Sequence, residues 1–132
     1  MKRASLFFLV ATLALGALTV TAHAQSEAPR ADTLRVEWKK RTDPWLRPAV
    51  EGYVHNPSSY RIGTVLLTVQ LVDGARRVVS ERTAWVYGNI PAGDRGYFVV
   101  PILPGDAGND YRITVESFVL ISRESPGSVE SP

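Results

Sequence analysis

Residues 50–73 read VEGYVHNPSSYRIGTVLLTVQLVD, and this stretch decides the fold because it describes two β-strands joined by a polar turn. In its second half, apolar side chains occupy every other position from Val65 to Leu71. A period of two predicts a strand that buries one face in a core. An Asn-Pro pair at residues 56–57 predicts the turn before this strand, and Asp73-Gly74 predicts a tight turn after it.

Further short strands are predicted on both sides of this stretch, and no residues after position 24 show a helical period. Together they predict an all-β fold, a single immunoglobulin-like β-sandwich of about seven antiparallel strands over residues 34–124. Residues 77–87 alternate poorly, which indicates an edge strand, a strand crossing between sheets, or two short strands. The predicted core combines three sets of side chains: Leu34, Val36 and Trp38; Val65, Leu67, Val69 and Leu71; and Ile113 and Val115.

The first 24 residues have the layout of a secretory signal peptide. Lys2 and Arg3 precede an uncharged run at residues 6–20, and Ala22-His23-Ala24 supplies small residues at both recognition positions. The alternative is an uncleaved membrane anchor, although the run is shorter than the ~20 residues that span a bilayer. We therefore expect cleavage after Ala24, no transmembrane segment in the mature chain, and a periplasmic or secreted protein.

Two polar segments flank the predicted sandwich. Residues 25–33 are predicted to form a flexible leader, and residues 125–132 a disordered tail. Removing Lys2 and Arg3 from the 15 basic residues leaves 13, which equals the 13 acidic residues, all of which follow position 24. This balance argues against nucleic acid as a partner. Because the chain has no cysteine, it can form neither a disulfide nor a cysteine-linked lipid anchor.

The segment Val50-Glu51-Gly52-Tyr53-Val54-His55-Asn56 resembles the FxLYD-type domain of exported and membrane-anchored prokaryotic proteins. The resemblance covers residues 50–118. It implies a small immunoglobulin-like sandwich and no general catalytic function. Gly52, Val54 and Asn56 match its glycine-x-valine-x-asparagine pattern. In the motif that names the family, Leu71, Asp73 and Gly74 match, whereas Val69 and Val72 stand in place of aromatic residues. A turn at residues 91–93 and a strand at residues 97–99 correspond to the later part of the domain.

Gly52 and His55 both belong to the strand at residues 49–55. A glycine inside a strand predicts a bulge or a close approach by another backbone or an aromatic ring. His55 is the one histidine after position 24, and we interpret it as a surface residue at the end of a strand.

Catalysis, metals and cofactors are not expected. No cysteine or methionine accompanies His55 after position 24, although metal sites need several such ligands. Ser58 and Ser59 lie near His55 in sequence, but turn chemistry accounts for them. The polar run at residues 106–110 could bind calcium, although it lacks the spacing of a dedicated calcium loop.

The most distinctive candidate surface combines tryptophans with basic residues. We expect a non-catalytic module that binds another protein of the cell envelope, with a carbohydrate or an anionic lipid as the alternative ligand. A purely structural interpretation is also open, in which Trp45 caps the sandwich, Trp85 and Tyr87 pack, and the charges keep an edge soluble. The candidate interaction residues are Lys39, Lys40, Arg41, Trp45, Arg47, Trp85 and Tyr87.

Overall fold

The computed structural model describes residues 28–124, which form two antiparallel three-stranded sheets in a sandwich-like arrangement. Sheet A has the strand order β1-β2-β5 and sheet B the order β4-β3-β6. A short 3-10 turn at Ala31–Thr33 precedes them. The strands are β1 (Arg35–Lys40), β2 (Ala49–His55), β3 (Tyr60–Val72), β4 (Val78–Trp85), β5 (Arg95–Pro101) and β6 (Asp110–Arg123).

The predicted all-β architecture is confirmed, but the described strands number six rather than about seven. Residues 78–85 form one strand, β4, because they pair along most of their length with β3. β4 is an edge strand of sheet B. Just after it the chain crosses to sheet A, where the Tyr87 amide donates a 2.9 Å hydrogen bond to the Tyr97 carbonyl.

The core lies between the inner faces of the two sheets. The alternating residues of β3 that the sequence placed inside, from Val65 to Leu71, are completely buried, as are Phe98 and Val100 of β5. Ile113 and Val115 of β6 join the same cluster. Strand period two therefore assigned these side chains correctly to the interior. Leu34, which precedes β1, is buried in the cluster. Val36 and Trp38 of β1 are only partly buried and pack against it.

Gly52 permits a close approach between two strands of sheet A. It pairs with Trp38 of β1 and with Phe98 of β5. A Cβ at this position would overlap the carbonyl oxygen of Glu37 and would lie 2.8 Å from the Trp38 Cα. The close backbone approach predicted for this glycine is therefore present.

Asn56 is the one buried polar residue of residues 28–124, and it joins the end of β2 to two other segments. Its side-chain amide donates to the Tyr60 carbonyl at 2.7 Å and to the Pro91 carbonyl at 3.1 Å. Its Oδ1 accepts a 2.6 Å hydrogen bond from the Ser58 hydroxyl. Turn chemistry thus explains Ser58, as the sequence indicated, and also explains the asparagine of the glycine-x-valine-x-asparagine pattern.

Three predictions concern residues at the chain termini. The signal peptide at residues 1–24 and the tail at residues 125–132 lie outside the described residues. Of the predicted leader, residues 31–33 form the 3-10 turn, and Ala31 packs against the core. Within residues 28–124, none of the helical structure has the length and hydropathy needed to cross a membrane.

Candidate functional site

The outer face of sheet A carries a cavity of about 630 Å³, which we call the sheet A pocket. Because side chains alternate along a strand, the residues that β1, β2 and β5 do not bury converge on this face. The register places Lys39 opposite Glu51, and Tyr53 opposite Tyr97. The pocket is lined by Glu37, Trp38, Lys39, Glu51, Gly52, Tyr53 and Tyr97.

Glu51 is held in place from two sides. The Tyr97 hydroxyl donates a 2.7 Å hydrogen bond to Glu51 Oε2, and the Arg41 Nε donates to the same oxygen at 3.1 Å. These donors hold the pKa of the Glu51 carboxyl below its usual value, and the Tyr97 hydrogen bond has the largest effect. The same hydrogen bond raises the pKa of Tyr97, so its hydroxyl remains a donor.

A second carboxylate of the pocket, Glu37, pairs with His55. His55 Nε2 lies 2.9 Å from Glu37 Oε1, and the imidazole is about one quarter exposed at the end of β2. The close contact with His55 is the main cause that lowers the pKa of Glu37. His55 is therefore a strand-end residue, as predicted, with its ring directed to a carboxylate on the neighbouring strand.

Three tyrosines form a row on the same face. The ring centroids of Tyr53 and Tyr97 are 5.6 Å apart, and those of Tyr97 and Tyr87 are 6.2 Å apart. The planes of Tyr97 and Tyr87 are within 19° of parallel. The guanidinium of Arg95 lies 4.0 Å from the centroid of the Tyr53 ring, at cation–π distance.

The basic residues predicted to form one interaction surface point to different places. Lys39 lines the sheet A pocket, whereas the Lys40 ammonium lies 3.0 Å from Asp106 and 5.7 Å from the centroid of the Tyr111 ring. Arg41 is 15% exposed and bonds Glu51. Lys40 and Arg41 therefore have internal partners: Asp106 in the loop before β6 for Lys40, and Glu51 on the neighbouring strand for Arg41.

Trp45 projects into solvent. It lies in the turn between β1 and β2, where its amide donates to the Asp43 carboxylate at 2.9 Å, and it is 91% exposed. The interpretation that Trp45 caps the sandwich is therefore wrong. Arg47, in the same loop, is exposed, and its carbonyl accepts a 3.5 Å hydrogen bond from Arg41.

Trp85 and Tyr87 are also exposed, by 58% and 66%, so the interpretation that both are packed is wrong. They line a groove of about 350 Å³ between the adjoining edges of β4 and β5. Trp85 pairs with Leu66 on sheet B, whereas the Tyr87 ring lies against Tyr97 of sheet A. Trp85 therefore belongs to β4 of sheet B, whereas Tyr87 follows that strand and its ring lies against sheet A.

The edge of β6 is a feature that the sequence analysis did not identify. Within residues 28–124, β6 pairs with β3 on one side and with no strand on the other. The uncharged run SFVLIS at residues 117–122 lies on this strand, and Val119, Leu120 and Ile121 are each about half exposed. The uncharged run was a visible signal, but only the strand order shows that it lies at an edge.

Comparison with known proteins finds no matching family, no similar curated protein and no similar solved structure. The resemblance to the FxLYD-type domain therefore remains a prediction from residues 50–118.

The polar loop that could have bound calcium is occupied by internal contacts. Asp106 binds Lys40, and the side-chain amide of Asn109 donates to the Gly105 carbonyl at 2.8 Å. In the part of the chain that the structure describes, no three His, Cys, Asp or Glu side chains are grouped closely enough to hold a metal ion.

Proposed function

We propose that the protein is an exported, non-catalytic, immunoglobulin-like module that binds a protein partner of the cell envelope through the free edge of β6. Export is supported by the basic, apolar and A-x-A segments of residues 1–24. The absence of catalysis is supported by the Ser58 hydroxyl, which donates to the Asn56 side chain and not to His55, the candidate base.

The strand order supports the immunoglobulin-like assignment. In the seven-stranded form of this sandwich, the second strand lies between the first and the fifth strands of one sheet. In the other sheet, the third strand lies beside the sixth strand, which is the penultimate strand of the chain. Here β2 lies between β1 and β5, and β3 lies beside β6; β4 departs from this order, because it pairs with β3, whereas the fourth strand of the seven-stranded fold lies in the sheet of the first, second and fifth strands. In the seven-stranded fold the penultimate strand has a further neighbour. Within residues 28–124, β6 has no strand at this position.

The free edge of β6 is the observation that carries the proposal. An unpaired strand presents backbone donors and acceptors to other chains, and soluble proteins usually protect it with charges, prolines or bulges. Residues 117–122 contain neither a charge nor a proline, and Val119, Leu120 and Ile121 are exposed, although the pairing with β3 shifts register at Ile121, between the pairs Ser122–Arg61 and Leu120–Ile62. The 3-10 turn at Ala31–Thr33 contacts β6 near Ile113 and Thr114, so it lies beside the first half of the strand.

The chemistry of this edge defines the partner. An extended segment that adds a strand to β6 would satisfy its backbone groups, and alternate apolar side chains would contact the exposed residues. We therefore expect the partner to contribute a strand-forming apolar segment, and not a charged helix or a nucleic acid.

Site-specific photocrosslinking in cells tests this proposal. A photoreactive residue at position 119 should crosslink to one other envelope protein, through an apolar extended segment identified by mass spectrometry. Val79 is the matched control position, because it is a similarly exposed valine on β4, at the opposite edge of the same sheet. Crosslinks from position 119 only to a second copy of the chain, only to residues 125–132, or to no protein would each overturn the proposal.

A further inference from the structure

We infer that the sheet A pocket binds an acidic saccharide, a sugar chain that carries carboxylate groups. This inference goes beyond the proposed protein partner, because it concerns the other sheet and a different class of ligand. The volume of about 630 Å³ is within the range of pockets that hold small ligands. The lining combines two tyrosine rings with two carboxylates and one lysine.

The tyrosine rings supply the surface for the sugar rings. The C–H face of a pyranose packs on an aromatic face, and the two tyrosines that line the pocket, Tyr53 and Tyr97, have ring centroids 5.6 Å apart.

The carboxylates supply fixed acceptors for sugar hydroxyls. Glu51 is oriented by Tyr97 and Arg41, and Glu37 is oriented by His55. A carboxylate has more acceptor positions than these donors occupy, so each can accept a hydroxyl from a ligand. Because the side chains are held before the ligand arrives, little conformational entropy is lost on binding.

The charge of the face selects an acidic sugar over a neutral one. Lys39 lines the pocket, and its ammonium has no carboxylate within ion-pair distance anywhere in residues 28–124. A carboxylate on the sugar would supply that partner. Around the pocket, cationic side chains outnumber the two glutamates, namely Arg35, Lys39, Arg41 and Arg95.

Calorimetric titration of the purified protein with defined oligosaccharides tests the inference. The probes are oligogalacturonate, oligomannuronate and hyaluronan fragments, each compared with its carboxyl-reduced neutral counterpart. We expect at least one acidic probe to bind more tightly than its counterpart, and to bind more weakly at high salt because the contact with Lys39 is screened. Binding to none of the acidic probes, equal binding of both members of every pair, or binding only to anionic phospholipid vesicles would overturn it.

Matched variants locate the site. Lys39→Gln should weaken the acidic probe about tenfold and leave the neutral probe unchanged, whereas Arg112→Gln on the outer face of sheet B should change neither. Tyr53→Leu keeps apolar bulk but removes a flat ring, so it should weaken binding several-fold, unlike Trp85→Leu on sheet B. Circular dichroism checks that each variant is folded. If folded Lys39→Gln and Tyr53→Leu variants bound the acidic probe as tightly as the unaltered protein, the pocket would not be its site.

Discussion

The Tyr97 hydroxyl donates a 2.7 Å hydrogen bond to Glu51, which lies on the neighbouring strand two positions from Tyr53, the cross-strand partner of Tyr97. Arg41, from the loop after β1, bonds the same carboxylate oxygen. This three-residue contact joins all three strands of sheet A on its outer face. It orients one carboxylate of the sheet A pocket and predicts how the protein responds to acid.

Tyr97→Phe should raise the pKa of Glu51, because it removes the donor that lowers this pKa most. Since the folded pKa lies below the ordinary 4.5, the unfolded chain binds more protons in the interval between the two values. The stabilisation that this contact gives the folded state is therefore complete above about pH 4.5, and it is lost as the pH falls through the pKa of Glu51 in the folded protein. The destabilisation caused by Tyr97→Phe should be larger at about pH 6 than at about pH 3.

Carboxyl NMR titration of Glu51, together with urea unfolding at both pH values, measures this effect. Tyr60→Phe is the control, because Tyr60 makes no hydroxyl hydrogen bond to Glu51. An unchanged pKa of Glu51 in Tyr97→Phe would show that the hydrogen bond does not form in solution.

Leu67→Ala should destabilise the protein by about 2–5 kcal/mol, because Leu67 is completely buried and its loss leaves a cavity. Leu66→Ala is the matched control. Leu66 is the preceding residue of β3, faces the other side of sheet B opposite Trp85, and is only partly buried. We expect it to cost about 1 kcal/mol or less in the same denaturant experiment. Equal costs would mean that the register of β3 is wrong.

Gly52→Ala should destabilise the protein by about 1–3 kcal/mol, because the added methyl group would overlap the Glu37 carbonyl oxygen and the backbone would have to move. Gly74→Ala should change the free energy of unfolding by less than about 1 kcal/mol, since no atom lies within 4 Å of a Cβ there. Thermal unfolding of both variants checks the difference. A neutral Gly52→Ala would contradict the close approach of β1 and β2.

Asn56→Ala should cost about 1–3 kcal/mol, because it leaves the carbonyls of Tyr60 and Pro91 without the amide that they accept from. Asn109→Ala removes a similar side-chain amide bond in an exposed loop and should cost less. Urea unfolding compares the two variants. If both variants lost the same free energy of unfolding, burial would not explain the contribution of the Asn56 hydrogen bonds to stability.

The sequence predicted the strands and the core well, because both depend on local patterns. Alternation at residues 65–71 identified the buried face of β3, and a glycine inside a strand identified the close approach at Gly52. Asp73-Gly74 was correctly placed in the turn between β3 and β4.

The candidate site was harder to predict, because its members meet only through the strand register. Glu51 and Tyr97 are 46 positions apart, and no local pattern relates them. Lys40 and Arg41 looked like part of one basic loop, yet Asp106 and Glu51 draw them to different places. The edge of β6 likewise depends on the strand order of sheet B.

Backbone amide hydrogen exchange of residues 117–122 tests the central claim most directly. In the purified protein, the amides of this run that do not bond β3 should exchange rapidly, and the partner captured at position 119 should protect them. Val119→Lys combined with Ile121→Lys should abolish this protection while β3 amides remain slow. Slow exchange of those edge amides without the partner, or rapid exchange in its presence, would contradict binding at the free edge of β6.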